Sequence, residues 1–201
     1  MKQNLIHAIA VIMIGSMLFA GCKKDESAPQ NSFKYHDKES LIGNAFAGNL
    51  GEVSAGSYGY YVFFLENTLT VHYTNSGPGE ITGIGDYMMI AMASSDSTGI
   101  KPGEYTYSSS EVSFNPNTFG YESGLLIDYD GSTEYYAGVL LFNGGKINVT
   151  KNDDEYTFNI SISTTVKSTI SGYYKGKIAL YAYNTGKKSG VKNPFAFPII
   201  K

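Results

Sequence analysis

The sequence predicts an all-β chain, folded as one antiparallel β-sandwich or flattened barrel of about ten strands. Three observations carry this expectation. Apolar and polar residues alternate with a period of two over several short runs, as strands with opposite faces require. Beyond residue 21 no stretch keeps a helical period for more than about three turns. The 201 residues include 17 Tyr, 11 Phe and 23 Gly, which are strand formers punctuated by a turn former.

The chain begins with Lys2 and an apolar run from Leu5 to Phe19, followed by the small residues Ala20 and Gly21. That order is the pattern of a secretory signal peptide over residues 1–21. The 15-residue run is short; a helix spanning the hydrocarbon core needs about 20. Cys22 is the only cysteine, so no disulfide forms within the chain. Phe19-Ala20-Gly21-Cys22 resembles the bacterial lipobox, with Phe19 where leucine is commonest. The resemblance implies that the Cys22 thiol receives diacylglycerol and becomes the first mature residue. Several acyl chains, at about 0.8 kcal/mol per buried methylene, hold a protein stably on a membrane. Lys23-Lys24-Asp25-Glu26 is similar to the lysine-plus-acid export signal of Bacteroidetes surface lipoproteins. It implies an outer-membrane lipoprotein exposed at the cell surface. Residues 22–40 are polar and contain Pro29, and are expected to form a flexible tether, leaving 41–201 as the β domain.

Without residues 1–21 the chain carries 14 Lys and no Arg against 18 acids, a net charge of −4. A nucleic-acid partner calls for a basic, Arg-bearing face, so that class is excluded. The remaining 180 residues suffice for one domain with its own core.

In chain order the expected strands are Tyr58 to Leu65, Leu69 to Tyr73, Tyr87 to Ala93, Glu104 to Tyr107, Val112 to Phe114 and Leu125 to Tyr129. Tyr135 to Phe142 follows, then the two arms of a hairpin within 144–164, and Lys175 to Tyr183. The hairpin is the cleanest. Ile147 and Val149 alternate with polar residues, and Asn152-Asp153-Asp154 forms the turn. Tyr156, Phe158, Ile160 and Ile162 then share the apolar face. In TLTVHYT, Leu69, Val71 and Tyr73 are expected inward and Thr70, His72 and Thr74 outward.

Three strands are apolar on both faces. Tyr61, Phe63 and Leu65 oppose Tyr58, Tyr60, Val62 and Phe64. Met88, Ile90 and Met92 oppose Met89 and Ala91. Tyr136, Leu140 and Phe142 oppose Tyr135, Val139 and Leu141. Each needs cover on both sides, from a second sheet, the tail Phe195 to Ile200 or a ligand. The PGEYTY stretch (Pro102 to Tyr107) and Gly172-Tyr173-Tyr174-Lys175-Gly176 are similar to segments of the β-rich domains of Bacteroidetes lipoproteins. A flattened barrel of the calycin-like kind is one arrangement open to such strands.

Signatures of hydrolases and nucleotide-binding loops are missing. Gly83-Ile84-Gly85 lacks the third glycine of a dinucleotide fingerprint and reads as a loop. His36, next to Asp37, falls in the tether and His72 on a wet strand face, and a triad at either would need partners that no motif supplies. Asp128 to Glu134 alternates carboxylates around Gly131, but strands flank it where a helix-loop-helix calcium site would have helices. It reads as a turn. Asp96-Ser97-Thr98 is similar to the O-glycosylation sequon of Bacteroidetes, which makes Ser97 a candidate acceptor. No catalytic residue, metal or cofactor is expected. A ligand-binding module, for a glycan or a small apolar molecule, is the leading functional expectation, because tyrosine offers a ring and a hydroxyl together. A structural or adhesive component recruiting a protein partner is the alternative, and an enzyme comes third.

Overall fold

The computed structural model describes residues 28–75, 77–110, 115–120 and 122–182. Among these residues there are thirteen strands and no helix. In order they are β1 (Ser32–Tyr35), β2 (Lys38–Ser54), β3 (Ser57–Glu66), β4 (Thr70–Thr74), β5 (Gly77–Thr82), β6 (Ile84–Ser94) and β7 (Gly103–Tyr107). Then come β8 (Thr118–Phe119), β9 (Gly124–Asp130), β10 (Gly138–Asn152), β11 (Glu155–Thr164), β12 (Thr169–Lys177) and β13 (Ala179–Ala182).

Eleven strands form one sheet in the order β1-β12-β11-β10-β7-β8-β6-β3-β2-β13, with β9 pairing both β10 and β6. Because β1 also pairs with β2, the hydrogen-bonded path returns to its start. The all-β expectation therefore holds, with a barrel-like circuit around the larger of two apolar clusters. Pairings are antiparallel except β13 with β2 and β7 with β8, which are short and parallel. The expected hairpin is present: Asn152 pairs with Glu155 across Asp153 and Asp154, with Asp153 at φ 53°.

The tether expectation is corrected from residue 32 onward. Ser-Phe-Lys-Tyr alternates over only four residues, yet Phe33 is 1% exposed in the core. Tyr35 pairs with Lys38 across a two-residue turn that His36 enters at φ 52°. Hydrogen bonds to β2 on one side and β12 on the other outweigh the polar flanks that suggested a solvated stalk. The domain thus begins before residue 41. The run expected over 175–183 is likewise two elements. β12 ends at Lys177, Ile178 turns into the core, and β13 crosses to β2. The expected strand at 112–114 and the tail at 195–200 lie outside the described residues.

The strands without alternation are explained by two cores. Tyr60, Val62, Phe64, Met88, Ile90 and Met92 join Tyr105, Phe119, Phe142 and Phe158 in the interior. The opposite faces of β3 and β6, with Phe63, Leu65, Tyr87 and Met89, meet a second cluster. Its cover is the small β4-β5 sheet, through Leu69, Val71 and Ile81, together with Leu126 and Tyr129 of β9. Full burial of one such side chain contributes about 1.5–3 kcal/mol, so this outer cluster holds the hairpin to the barrel. Tyr136 packs with Val139 against the outer cluster and not beside Leu140, because regular β10 begins only at Gly138. Tyr73 is 51% exposed, against expectation, since a bulge between Val71 and Tyr73 turns it out.

Candidate functional site

On the side of the barrel where the circuit closes, β1 stops at Ser32 while β2 and β12 run on. Asn31 fills one more rung. Its backbone carbonyl accepts from Ile42 N–H at 2.9 Å. Its side-chain nitrogen donates to the Lys175 carbonyl at 3.0 Å, and its side-chain oxygen accepts from Lys175 N–H at 2.7 Å. Beyond that rung an open groove of about 450 Å³ remains, within the ordinary ligand-site range of about 300–1,000 Å³. It is lined by the incoming chain at 28–31, Leu41 and Ile42 of β2, Asn67 in the turn after β3, and Tyr173 and Lys175 of β12.

Local sequence explains this lining. Ile170, Gly172 and Tyr174 take the inner side of β12, and Ile170 and Tyr174 are buried. Period two then places Tyr173 and Lys175 on the outer side. Asn67 N–H donates to the Leu41 carbonyl at 2.7 Å, which fixes the turn against β2. A half-exposed tyrosine ring, carboxamides and an ammonium group offer a flat apolar face with donors and acceptors around it. That combination suits a sugar ring, which has both C–H faces and hydroxyl edges.

Most other tyrosines serve the fold. The Tyr60 hydroxyl donates to the Asp96 carbonyl at 2.9 Å and Tyr105 to the Lys101 carbonyl at 2.8 Å. Burial pushes both pKa values up to about 12. These bonds hold the 95–102 loop over one end of the barrel, where Ile100 is 1% exposed. At the other end Asp86, 3% exposed, accepts from Lys38, Ser40 and the Asp128 backbone. A second accessible aromatic group lies outside the barrel. Tyr73 and Tyr181 have ring centroids 6.1 Å apart, and Tyr73 meets the edge of Phe46. Tyr61, beside Phe63, donates to the Glu122 carboxylate.

Cys22 lies outside the described residues. Ser97 is exposed on the 95–102 loop, and its carbonyl accepts from Asn49. Beside it the Asp96 carboxylate accepts from the Thr98 hydroxyl and N–H, which lower its pKa. His36 stacks on Tyr35, and exposed His72 contacts Thr82 Oγ1 at 2.9 Å. Asp130 caps the turn before β10 by accepting from Ser132 and Thr133. Among the described residues no three His, Cys, Asp or Glu side chains gather as a metal site would require. Gly83 is a tight loop position at φ 95°, where a Cβ would collide with the Thr68 carbonyl. Sequence reasoning missed Asn31, Asn67, Tyr173 and Lys175. The available signal was Tyr173-Tyr174, adjacent tyrosines that a strand must send to opposite faces. Comparison with protein-family models, curated proteins and solved structures finds no match for the chain.

Proposed function

We propose that this chain is a lipid-anchored, non-catalytic binding module of the outer-membrane surface, and that its β domain takes a glycan in the seam groove. The groove carries the reading: Tyr173 supplies a ring, Asn67 a carboxamide and Lys175 a charge around one concavity. Among the described residues the lining contains no carboxylate, whereas an acid/base enzyme of the paired-carboxylate kind would call for convergent ones there. A small apolar ligand has less support, because Tyr60, Phe64, Tyr105, Phe119, Phe142 and Phe158 occupy the barrel interior, each fully buried. The small-small-Cys junction at Cys22 supports the anchor, Lys23 to Glu26 the outer-membrane address, and the exposure of Ser97 a surface O-glycan. Glycan-array binding by the protein tests the reading: retention of defined glycans, weakened by Tyr173→Ala, is expected. No retention on any glycan would overturn it.

A second reading rests on Tyr73 and Tyr181. Two accessible rings beside an apolar cluster also suit a protein partner. Capture of a surface protein that Tyr73→Ser abolishes and Tyr173→Ala leaves intact would favour it.

A further inference from the structure

Resting on the groove as a glycan site, we infer that its ligand is an anionic sugar, recognised at Lys175 and presented near the membrane. Among the described residues Lys175 is the only charged one lining the groove. Neighbouring Lys34, Lys38 and Lys177 are committed to Glu39, to Asp86 and Asp128, and to Asp154. Among the described residues Lys175 is in no ion pair. In a mature chain of net charge −4, the described lining of this concavity carries a single positive charge, which selects an anion over a neutral sugar. Asn31 bonds both backbone groups of Lys175, at 3.0 and 2.7 Å, so the charge sits on a fixed strand.

The same rung places the groove near the anchor. Ala28 to Asn31 line it, and Ala28 is only six residue steps beyond Cys22. Fully extended, the six steps reach about 20 Å at roughly 3.3–3.6 Å each. With Cys22 lipidated, the groove stays within that distance of the bilayer surface. The shared chemistry is a sugar carboxylate, borne either by a glycolipid or by a soluble glycan.

The test uses the full mature chain with Cys22→Ser, which removes the lipid so that any membrane binding reports on the groove. Equilibrium dialysis compares methyl glucuronide with methyl glucoside. Preference for the glucuronide by about tenfold is expected, and loss of that preference in Lys175→Gln. Co-sedimentation with phosphatidylcholine vesicles, with and without glucuronosyl diacylglycerol, then separates the sources. Binding only to the glycolipid vesicles is expected. Glucuronide binding in solution without vesicle binding would keep the carboxylate chemistry and overturn the membrane source. Equal binding of both sugars, or an unaffected Lys175→Gln, would overturn the anionic inference while the glycan reading stands. Binding of neither sugar would overturn the anionic inference, and the glycan array then decides the glycan reading by itself. Lys175 is exposed, and an unchanged melting temperature for the variant confirms that the fold is intact.

Discussion

The Lys38 ammonium lies 2.9 Å from Asp86 Oδ2 and 3.0 Å from Oδ1, tying the start of β2 to β6 across the base of the barrel. Asp86 is almost fully enclosed and also accepts from Ser40 Oγ and Asp128 N–H, at 3.0 and 2.9 Å. Removing the carboxylate leaves those two donors without their acceptor and Lys38 without its buried counter-ion. Asp86→Ala should lower unfolding free energy by about 2–4 kcal/mol in urea titration. Asp86→Asn, which keeps one acceptor oxygen, should cost less. A loss below that of an ordinary surface substitution would show that the network does not hold the base.

Alkaline pH should unfold the protein through the same groups that order its two ends. Burial opposes the Lys38 charge, but its hydrogen bond to Asp86 and the attraction of Asp86 and Glu66 leave the pKa raised. Burial likewise raises Tyr60 and Tyr105 to about 12. In each case the folded protein holds its proton more tightly than the unfolded chain does. Their stabilisation is complete below the unfolded values of about 10–10.4 and is lost as pH rises through the folded ones. The melting temperature should therefore fall between about pH 10 and 12. Ionisation of Tyr60 and Tyr105, followed by tyrosinate absorbance, should coincide with unfolding.

Phe33 makes the N-terminal strand part of the fold. Phe33→Ala should cost about 3–5 kcal/mol. A chain beginning at residue 28 should fold, and one beginning at 41 should not, as judged by near-ultraviolet circular dichroism. Folding of the shorter chain would restore the tether reading for residues 32–40.

Met92 lies opposite Tyr60 and Phe119 in the strand pairing and is 1% exposed. Met92→Ala should cost about 2–5 kcal/mol by leaving a cavity, while Met92→Asp should prevent folding. A stable Met92→Asp protein with an unchanged melting temperature would show that this face is open.

How much of this was legible depends on the range of each signal. The 144–164 hairpin could be read directly, because Tyr156, Phe158, Ile160 and Ile162 repeat every second residue and all are buried. The double-faced strands announced two layers of cover. They did not announce that a two-stranded sheet would supply the outer one, since nothing local in TLTVHYT specifies which surface Leu69 and Val71 meet. β1 escaped notice because four residues beside Pro29 give too short a period. The groove depends on Asn31 meeting Lys175, 144 positions away, a pairing that no local pattern encodes.

On the proposed reading the seam groove, and not the barrel interior or the outer tyrosines, is where this protein binds. Backbone NMR shifts recorded while the full mature Cys22→Ser chain is titrated with the glycan that the array retains test it most directly. Saturable shifts at Asn31, Asn67, Tyr173 and Lys175 are expected, with Tyr73 and Tyr181 unmoved. Shifts centred on Tyr73 and Tyr181, or on interior residues such as Phe119 and Phe142, would contradict it.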